Sequence, residues 1–197
     1  MHNFVRWAER AFTVMLAMAM FVRFRPAMLE HPQLVLFLLS EAFSVIFIVF
    51  QRRGDWTSAP FPVAVAFLGT FLPLLAMPYG KTIGPEWLST TLMVVGAGIA
   101  VGSKLMLRRS FGLIAANRGV KTSGLYRLVR HPMYAGYILI HTGMLIVRMS
   151  PFNLALFSAA WLFLWLRMRE EERFLLQDPA YRDYAQRVRY RVFPGVV

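Results

Sequence analysis

The stretch from Tyr134 to Leu166 constrains this chain most. It is 33 residues long and mostly apolar, whereas one bilayer-crossing helix needs only about 20. Met149-Ser150-Pro151-Phe152-Asn153 divides it into two arms of about 15 residues. Each arm is short for a full span, so the pattern predicts a tight helical hairpin, tilted or shallow, whose second arm continues as a helix through Glu172. Polar and ionisable residues stand at both ends: Arg130-His131-Pro132-Met133-Tyr134 before it, Arg167 and Glu170-Glu171-Glu172 after it. Such groups are costly in an apolar setting, and their placement points to a polar site at the mouth of a membrane-embedded helix pair.

The rest of the chain fits that setting. Of 197 residues, 57% are apolar and only 16% charged, yet the net charge is +12; the mean hydropathy is +0.50. A nucleic-acid module of this charge would be polar, with its cations on one solvated face, so nucleic acid is not an expected partner. The absence of cysteine excludes disulfides, thiolate metal ligands and a cysteine nucleophile. The histidines are dispersed and show no metal-ligand spacing, so no metal is expected. No Gly-rich nucleotide loop is present. The first residues do not read as a cleavable signal peptide.

Four further apolar segments precede the hairpin: Trp7 to Phe24, Leu34 to Phe50, the proline-rich Ala59 to Tyr79, and Trp87 to Leu107 with small residues Gly96, Ala97, Gly98, Ala100 and Gly102. Small residues let a neighbouring backbone approach closely in lipid. The fold class expected is all-α: a polytopic membrane protein of about six segments, the last two a hairpin, followed by an amphipathic helix in the tail. Residues 1–107 would supply the first four helices, and 108–197 a loop, the hairpin and the C-terminal helix, as one integrated domain. With six segments, 17 of the 22 Lys and Arg residues fall on the side of both termini and of the loops at 51–58 and 108–133, and 4 on the other. Positive charge collects on the cytoplasmic side, which puts both termini and the site there.

Individual residues carry competing readings. Arg167 and Glu171 share a helix face at four-residue spacing, as a surface ion pair or as site residues. The three consecutive glutamates form the one acidic cluster of the chain, and at least one must face inward on a packed helix. His131-Pro132 opens the first arm, where Pro suits the first turn and the free N–H groups suit an anion; His131 alone also reads as a cap. Tyr126 and Tyr134 alone would be interfacial aromatics. Thr122-Ser123-Gly124 reads as a tight turn before a short helix. Glu41, mid-segment, is a functional candidate or a packing contact satisfied by Ser44, Lys104 or water. His141 and Thr142 read as helix-packing polar groups.

Taken together, Ser110-Phe111-Gly112, then Val120-Lys121-Thr122-Ser123-Gly124-Leu125-Tyr126-Arg127-Leu128-Val129-Arg130-His131-Pro132-Met133-Tyr134-Ala135-Gly136, then Arg167 with Glu171-Glu172 and Leu175, and finally Tyr181, Tyr184 and Pro194-Gly195 resemble the isoprenylcysteine carboxyl methyltransferase family. Phospholipid N-methyltransferases share this C-terminal pattern. The resemblance covers about the last 90 residues; the first 107 match only as generic spanning helices. It implies an integral membrane methyltransferase using S-adenosylmethionine on a lipidic or amphipathic acceptor, by carboxylate O-methylation or amine N-methylation. Carried over, Gly119, Val120, Lys121 and Tyr126 would line the cofactor from the loop. His131, Pro132, Met133 and Tyr134 would hold it at the hairpin's start, and Glu171 from the second arm. Arg167 would face the acceptor, and Glu172 would help remove a proton if the acceptor is an amine. One departure is Gln177-Asp178-Pro179-Ala180, where the family often has Phe-Gly. Two other functions compete: an NADPH-dependent membrane reductase of the sterol reductase type, with a related C-terminal architecture, and a non-catalytic membrane partner protein. The paired Glu171-Glu172 after Arg167 favours the methyltransferase over the reductase, and a partner protein would leave the ionisable cluster without a purpose.

Overall fold

A computed structural model describes residues 2–49, 55–56, 60–107, 116–117 and 120–195. Gly119 and the Ser110-Phe111-Gly112 motif lie outside the described residues. Among those described, seven α-helices follow in chain order: α1 (His2–Glu30), α2 (Leu34–Val49), α3 (Pro60–Phe71), α4 (Glu86–Leu107), α5 (Pro132–Val147), α6 (Pro151–Leu175) and α7 (Pro179–Arg187). Single 3-10 turns cover Leu72–Leu75 and Gly124–Arg127. By length and composition α4 and α6 are able to cross a membrane, whereas α2, α3 and α5 are apolar but shorter. One pairing the apolar pattern did not signal is an antiparallel contact of Asp55–Trp56 with Ala116–Asn117. It joins the two loops that the charge distribution assigns to one side.

The expected division of the long apolar stretch is present. Pro132 occupies the first turn of α5, where its missing N–H is no loss. Ser150 caps α6 by accepting from Asn153 N at 3.1 Å, with Pro151 directly after it. The Asn153 side chain, fully buried, then ties the turn to the preceding loop. Its Oδ1 accepts from Met77 N at 3.0 Å, and its Nδ2 donates to Arg148 O at 2.9 Å and Met77 O at 3.0 Å. Backbone bonds between Lys81 and Met149 reinforce the join. Gly80 lies where a Cβ would come within 2.5 Å of Arg148 C, and its φ of +147° favours glycine besides. On the same side Arg148 forms an ion pair with Glu30.

The two arms pack mainly on other helices. The most extensive helix contact is α5 on α4, and α6 lies chiefly on α3. The small residues of α4 explain the first. A Cβ on Gly96 would stand 2.7 Å from Gly136 O, and one on Gly136 would stand 2.6 Å from Gly96 O, so the two backbones touch there. Gly98, by contrast, faces open space. Ser89 donates to Gly143 O at 2.8 Å farther along the same seam. Between α5 and α6 the link is aromatic and polar: His141 stacks on Phe157 with ring centroids 4.6 Å apart, and Trp161 Nε1 donates to His141 Nδ1 at 3.2 Å.

The tail differs from the continuous amphipathic helix expected. Only Pro179–Arg187 is helical. Asp178 caps it, accepting from Ala180 N at 2.9 Å, with Pro179 in its first turn. The Asp-Pro that departs from the family pattern is thus a helix-start signal. Beyond Arg187 the chain runs back over the beginning of α5. Arg130 N donates to Tyr190 O at 2.9 Å and His131 N to Arg191 O at 2.7 Å.

Candidate active site

The charged end of α6 meets the start of α5 around one carboxylate. Glu172, 5% exposed, accepts from His131 Nε2 at 3.1 Å on Oε1, the same oxygen that lies 3.1 Å from Arg130 Nη1. Its Oε2 accepts from Arg191 Nε at 2.8 Å. One acid therefore holds three basic side chains, from the loop before α5, the first residue ahead of α5 and the returning tail. His131 makes no side-chain cap on α5; its imidazole is spent on Glu172. A buried charge set of this kind contributes little net stability, but removing one member leaves uncompensated charge, which costs about 3–5 kcal/mol.

Glu171, one residue earlier, faces a different group. Its Oε2 accepts from Tyr134 Oη at 2.9 Å. The Tyr134 ring lies parallel to His131, centroids 5.4 Å apart and planes within 3°. Both rings are buried, so Tyr134 is not an interfacial aromatic. Arg167, 8% exposed, places its guanidinium 5.8 Å from the Tyr134 ring centre on the ring's face, and its Nη1 donates to Thr70 Oγ1 of α3 at 2.9 Å. The i, i+4 face of Arg167 and Glu171 is thus turned inward, where Tyr134 stands beside both.

Tyr126 closes the site from the 3-10 turn. It is 7% exposed, and its backbone oxygen accepts from Tyr184 Oη of α7 at 2.7 Å. Burial, with the nearby Glu171 charge adding to it, pushes the Tyr126 phenol well above its usual range. Burial likewise raises Tyr181, and raises Tyr184 to about 12. These phenols stay protonated at neutral pH, and Tyr184 is the donor in that bond to Tyr126. Pro132 and Met133 are buried, Val120 is half-buried and Lys121 exposed.

Behind Arg167 lies a small open-mouthed cavity, with free room of about 20 Å³, walled by Glu41, Ser44, Thr70, Tyr137, His141 and Arg167. Lys104, fully buried, does not satisfy Glu41 in the way the sequence allowed: its Nζ donates to Ser40 O at 3.0 Å and Ser44 Oγ at 2.9 Å. Thr142 does behave as a helix-packing group, donating to Ile138 O at 2.7 Å.

The structure thus brings Arg167, Glu171, Glu172, His131, Pro132, Met133, Tyr134 and Tyr126 together, with Val120 and Lys121 on the adjoining loop. Sequence reading assigned no site role to Arg130, Arg191 or Thr70. Arg130 stood next to His131 in a quoted motif and was within reach of it. Nothing in the spacing tied Arg191 to Glu172 or Thr70 to Arg167, because both contacts depend on how separate elements dock.

Comparison with known proteins meets this geometry in the same segment. Residues 91–177 match the profile of the isoprenylcysteine carboxyl methyltransferase (ICMT) family. The chain is 33% identical over 105 residues to protein-S-isoprenylcysteine O-methyltransferase A of Arabidopsis thaliana, covering 49% of this chain and 53% of that protein. It is 24% identical over 140 residues to protein-S-isoprenylcysteine O-methyltransferase of Dictyostelium discoideum, covering 67% and 59%. It is 37% identical over 70 residues to a probable protein-S-isoprenylcysteine O-methyltransferase of Oryza sativa subsp. japonica, covering 34% and 37%. The chain spans about half the length of the first two of these relatives. The segment that carries α4, α5, α6 and their polar cluster is the segment that matches, and over it this chain is similar to the isoprenylcysteine carboxyl methyltransferase family.

Proposed function

We propose that this protein is an integral membrane methyltransferase that uses S-adenosylmethionine and acts on a lipidic or amphipathic acceptor. The observation that carries the proposal is the cluster of His131, Tyr134, Glu171 and Arg167 inside the family-matching segment. The residues fit the cofactor's chemistry. A sulfonium suits a carboxylate beside aromatic faces, and Glu171 with Tyr134 supplies both. A carboxylate suits a cation with a spare donor, and the buried Nε of Arg130 has no hydrogen-bond partner. When bound, the cofactor supplies an electrophilic methyl group.

The chain's own residues do the rest. Methyl transfer needs reactants held in line at about 3 Å with water excluded, more than it needs a strong base. Tyr126, His131, Pro132, Met133 and Tyr134, with Gly119, Val120 and Lys121 on the loop, are proposed to hold the cofactor. Arg167 is proposed to orient the acceptor, since Thr70 and the Tyr134 face fix its guanidinium toward the cavity. Glu172 is read differently from the proton acceptor that it would be for an amine acceptor. Both its oxygens face cations, so it serves to position the loop, α5 and the tail.

The proposed setting is six membrane segments with both termini and the site facing the cytoplasm. Two helices long enough to span, the charge distribution and the contact of Asp55–Trp56 with Ala116–Asn117 support it. Calorimetry of S-adenosylhomocysteine against detergent-solubilised protein tests the cofactor, with micromolar-order affinity expected. Lipid profiling of cells with and without the protein, fed isotope-labelled methionine, tests the acceptor; no protein-dependent labelled product would remove the proposal.

A further inference from the structure

Two buried groups on the wall of the small cavity behind Arg167 have no role in the proposed reaction. Glu41, 4% exposed, lines it from α2, and His141, 1% exposed, lines it from α5. His141 Nε2 stands 3.7 Å from Glu41 Oε1, beyond hydrogen-bond reach, and among the described residues it has no hydrogen-bond partner. Trp161 fixes the state of that ring. An indole N–H only donates, so His141 Nδ1 accepts from it at 3.2 Å, and the imidazole is neutral with its hydrogen on Nε2. The wall hydroxyls have placed their hydrogens elsewhere. Ser44 Oγ donates to Ser40 O and accepts from Lys104 Nζ, so in the 3.2 Å contact of Ser44 with Tyr137 the phenol is the donor. Thr70 Oγ1 donates to Ala66 O and accepts from Arg167. The His141 N–H, by contrast, stands across a gap from a carboxyl group.

We infer that this cavity binds one water molecule, which accepts from His141 Nε2 and donates to the Glu41 carboxyl group. A polar contact longer than 3.5 Å is where a bridging water belongs, and an oxygen at ordinary hydrogen-bond distance from both atoms spans the 3.7 Å between them. The free room of about 20 Å³ fits one such molecule, since a water needs about 10–15 Å³. Its second hydrogen has acceptors on the same wall, because Tyr137 Oη and Thr70 Oγ1 each keep a lone pair after the bonds just described. Three partners are what a buried water usually finds. The mixed wall selects the ligand. A cation would meet the His141 N–H and the Arg167 guanidinium at close quarters, and an anion would meet carboxyl and phenol oxygens. Water both donates and accepts, and a carboxyl oxygen accepts from it in either protonation state. The bridge makes one hydrogen-bond chain from Trp161 of α6 through His141 of α5 to Glu41 of α2, so three helices are joined behind Arg167. Nothing in it depends on the methyl transfer proposed above.

Proton-detected solid-state NMR on the full chain in lipid at neutral pH, with isotope-labelled histidine nitrogens, tests this. His141→Gln assigns the His141 signals by their loss. The wild type should show one bare nitrogen and one protonated nitrogen on this ring, the protonated one being Nε2. The Nε2 hydrogen should give a cross-peak with water, which bulk solvent cannot supply to a side chain 1% exposed. Glu41→Met keeps the length of the side chain but removes the acceptor, and should abolish that cross-peak. Unshifted signals of His31 and His131 show that the variant is folded. A hydrogen on Nδ1, a doubly protonated ring, or an Nε2–H signal without a water cross-peak overturns the inference. So does a cross-peak that survives unchanged in Glu41→Met. If Glu41→Met does not fold, the wild-type spectrum decides.

Discussion

Glu172 accepts from Arg191 at 2.8 Å although all of α7 lies between them. The same carboxylate holds His131 and Arg130, so the acid at the end of α6 fastens the tail to the start of α5. Glu172→Ala leaves the buried Arg130 guanidinium without its carboxylate and is expected to cost about 3–5 kcal/mol. Arg191→Ala, at a residue whose side chain is 39% exposed, should cost about 1 kcal/mol or less, as more exposed pairs do. Unfolding in mixed detergent, read by tryptophan fluorescence, checks the ordering; equal effects would mean that Glu172 is not the hub.

Glu171→Gln and His131→Ala are each expected to weaken S-adenosylhomocysteine binding. Glu171→Gln keeps an acceptor for Tyr134 but removes the charge proposed to face the sulfonium, so it should weaken S-adenosylmethionine more than its neutral product. Calorimetry on both ligands decides, and unchanged affinity in both variants removes these residues from the cofactor site.

Arg167→Ala should cut turnover by about 10²-fold while cofactor affinity changes little, because losing a transition-state contact appears in the rate. Arg167→Lys should restore only part, since an ammonium lacks the planar fork. An activity loss that tracks the melting temperature in the same detergent would make Arg167 structural.

How far the sequence carried can be judged on these residues. The break at Ser150-Pro151 and the start at Pro132 were legible because proline and a capping hydroxyl act locally. That one or two of three adjacent acids on a packed helix face inward was legible; that Glu172 is among them was not. Which cations it faces was not, because Arg191 arrives only after the chain reverses beyond Arg187, and no local preference records that reversal. Lys104 was legible as a possible partner of Glu41, but its choice of Ser40 O and Ser44 Oγ instead depends on how α2 docks against α4. The returning tail and the short strand pairing are docking events of the same kind.

Gly136→Ala should destabilise by about 1–3 kcal/mol, because its Cβ would fall 2.6 Å from Gly96 O and 2.7 Å from Ala100 N. Gly98→Ala, facing open space, should be neutral or slightly stabilising. Melting temperatures of the two variants, measured side by side, check the seam.

Six-segment topology predicts that reporter fusions after residues 55, 120 and 197 all sit in the cytoplasm. A signal from the opposite side at 120 would overturn the topology and the orientation of the site together.

The pairing of Arg130 and His131 with Tyr190 and Arg191 also sets an order of events during biosynthesis. The helices that form the cavity walls can enter the membrane and pack as they emerge from the ribosome, but the cluster on Glu172 stays incomplete until residue 191 has been made. A nascent chain stalled short of that point holds its helices without its finished site, so the protein matures from the membrane outward and the site is assembled last.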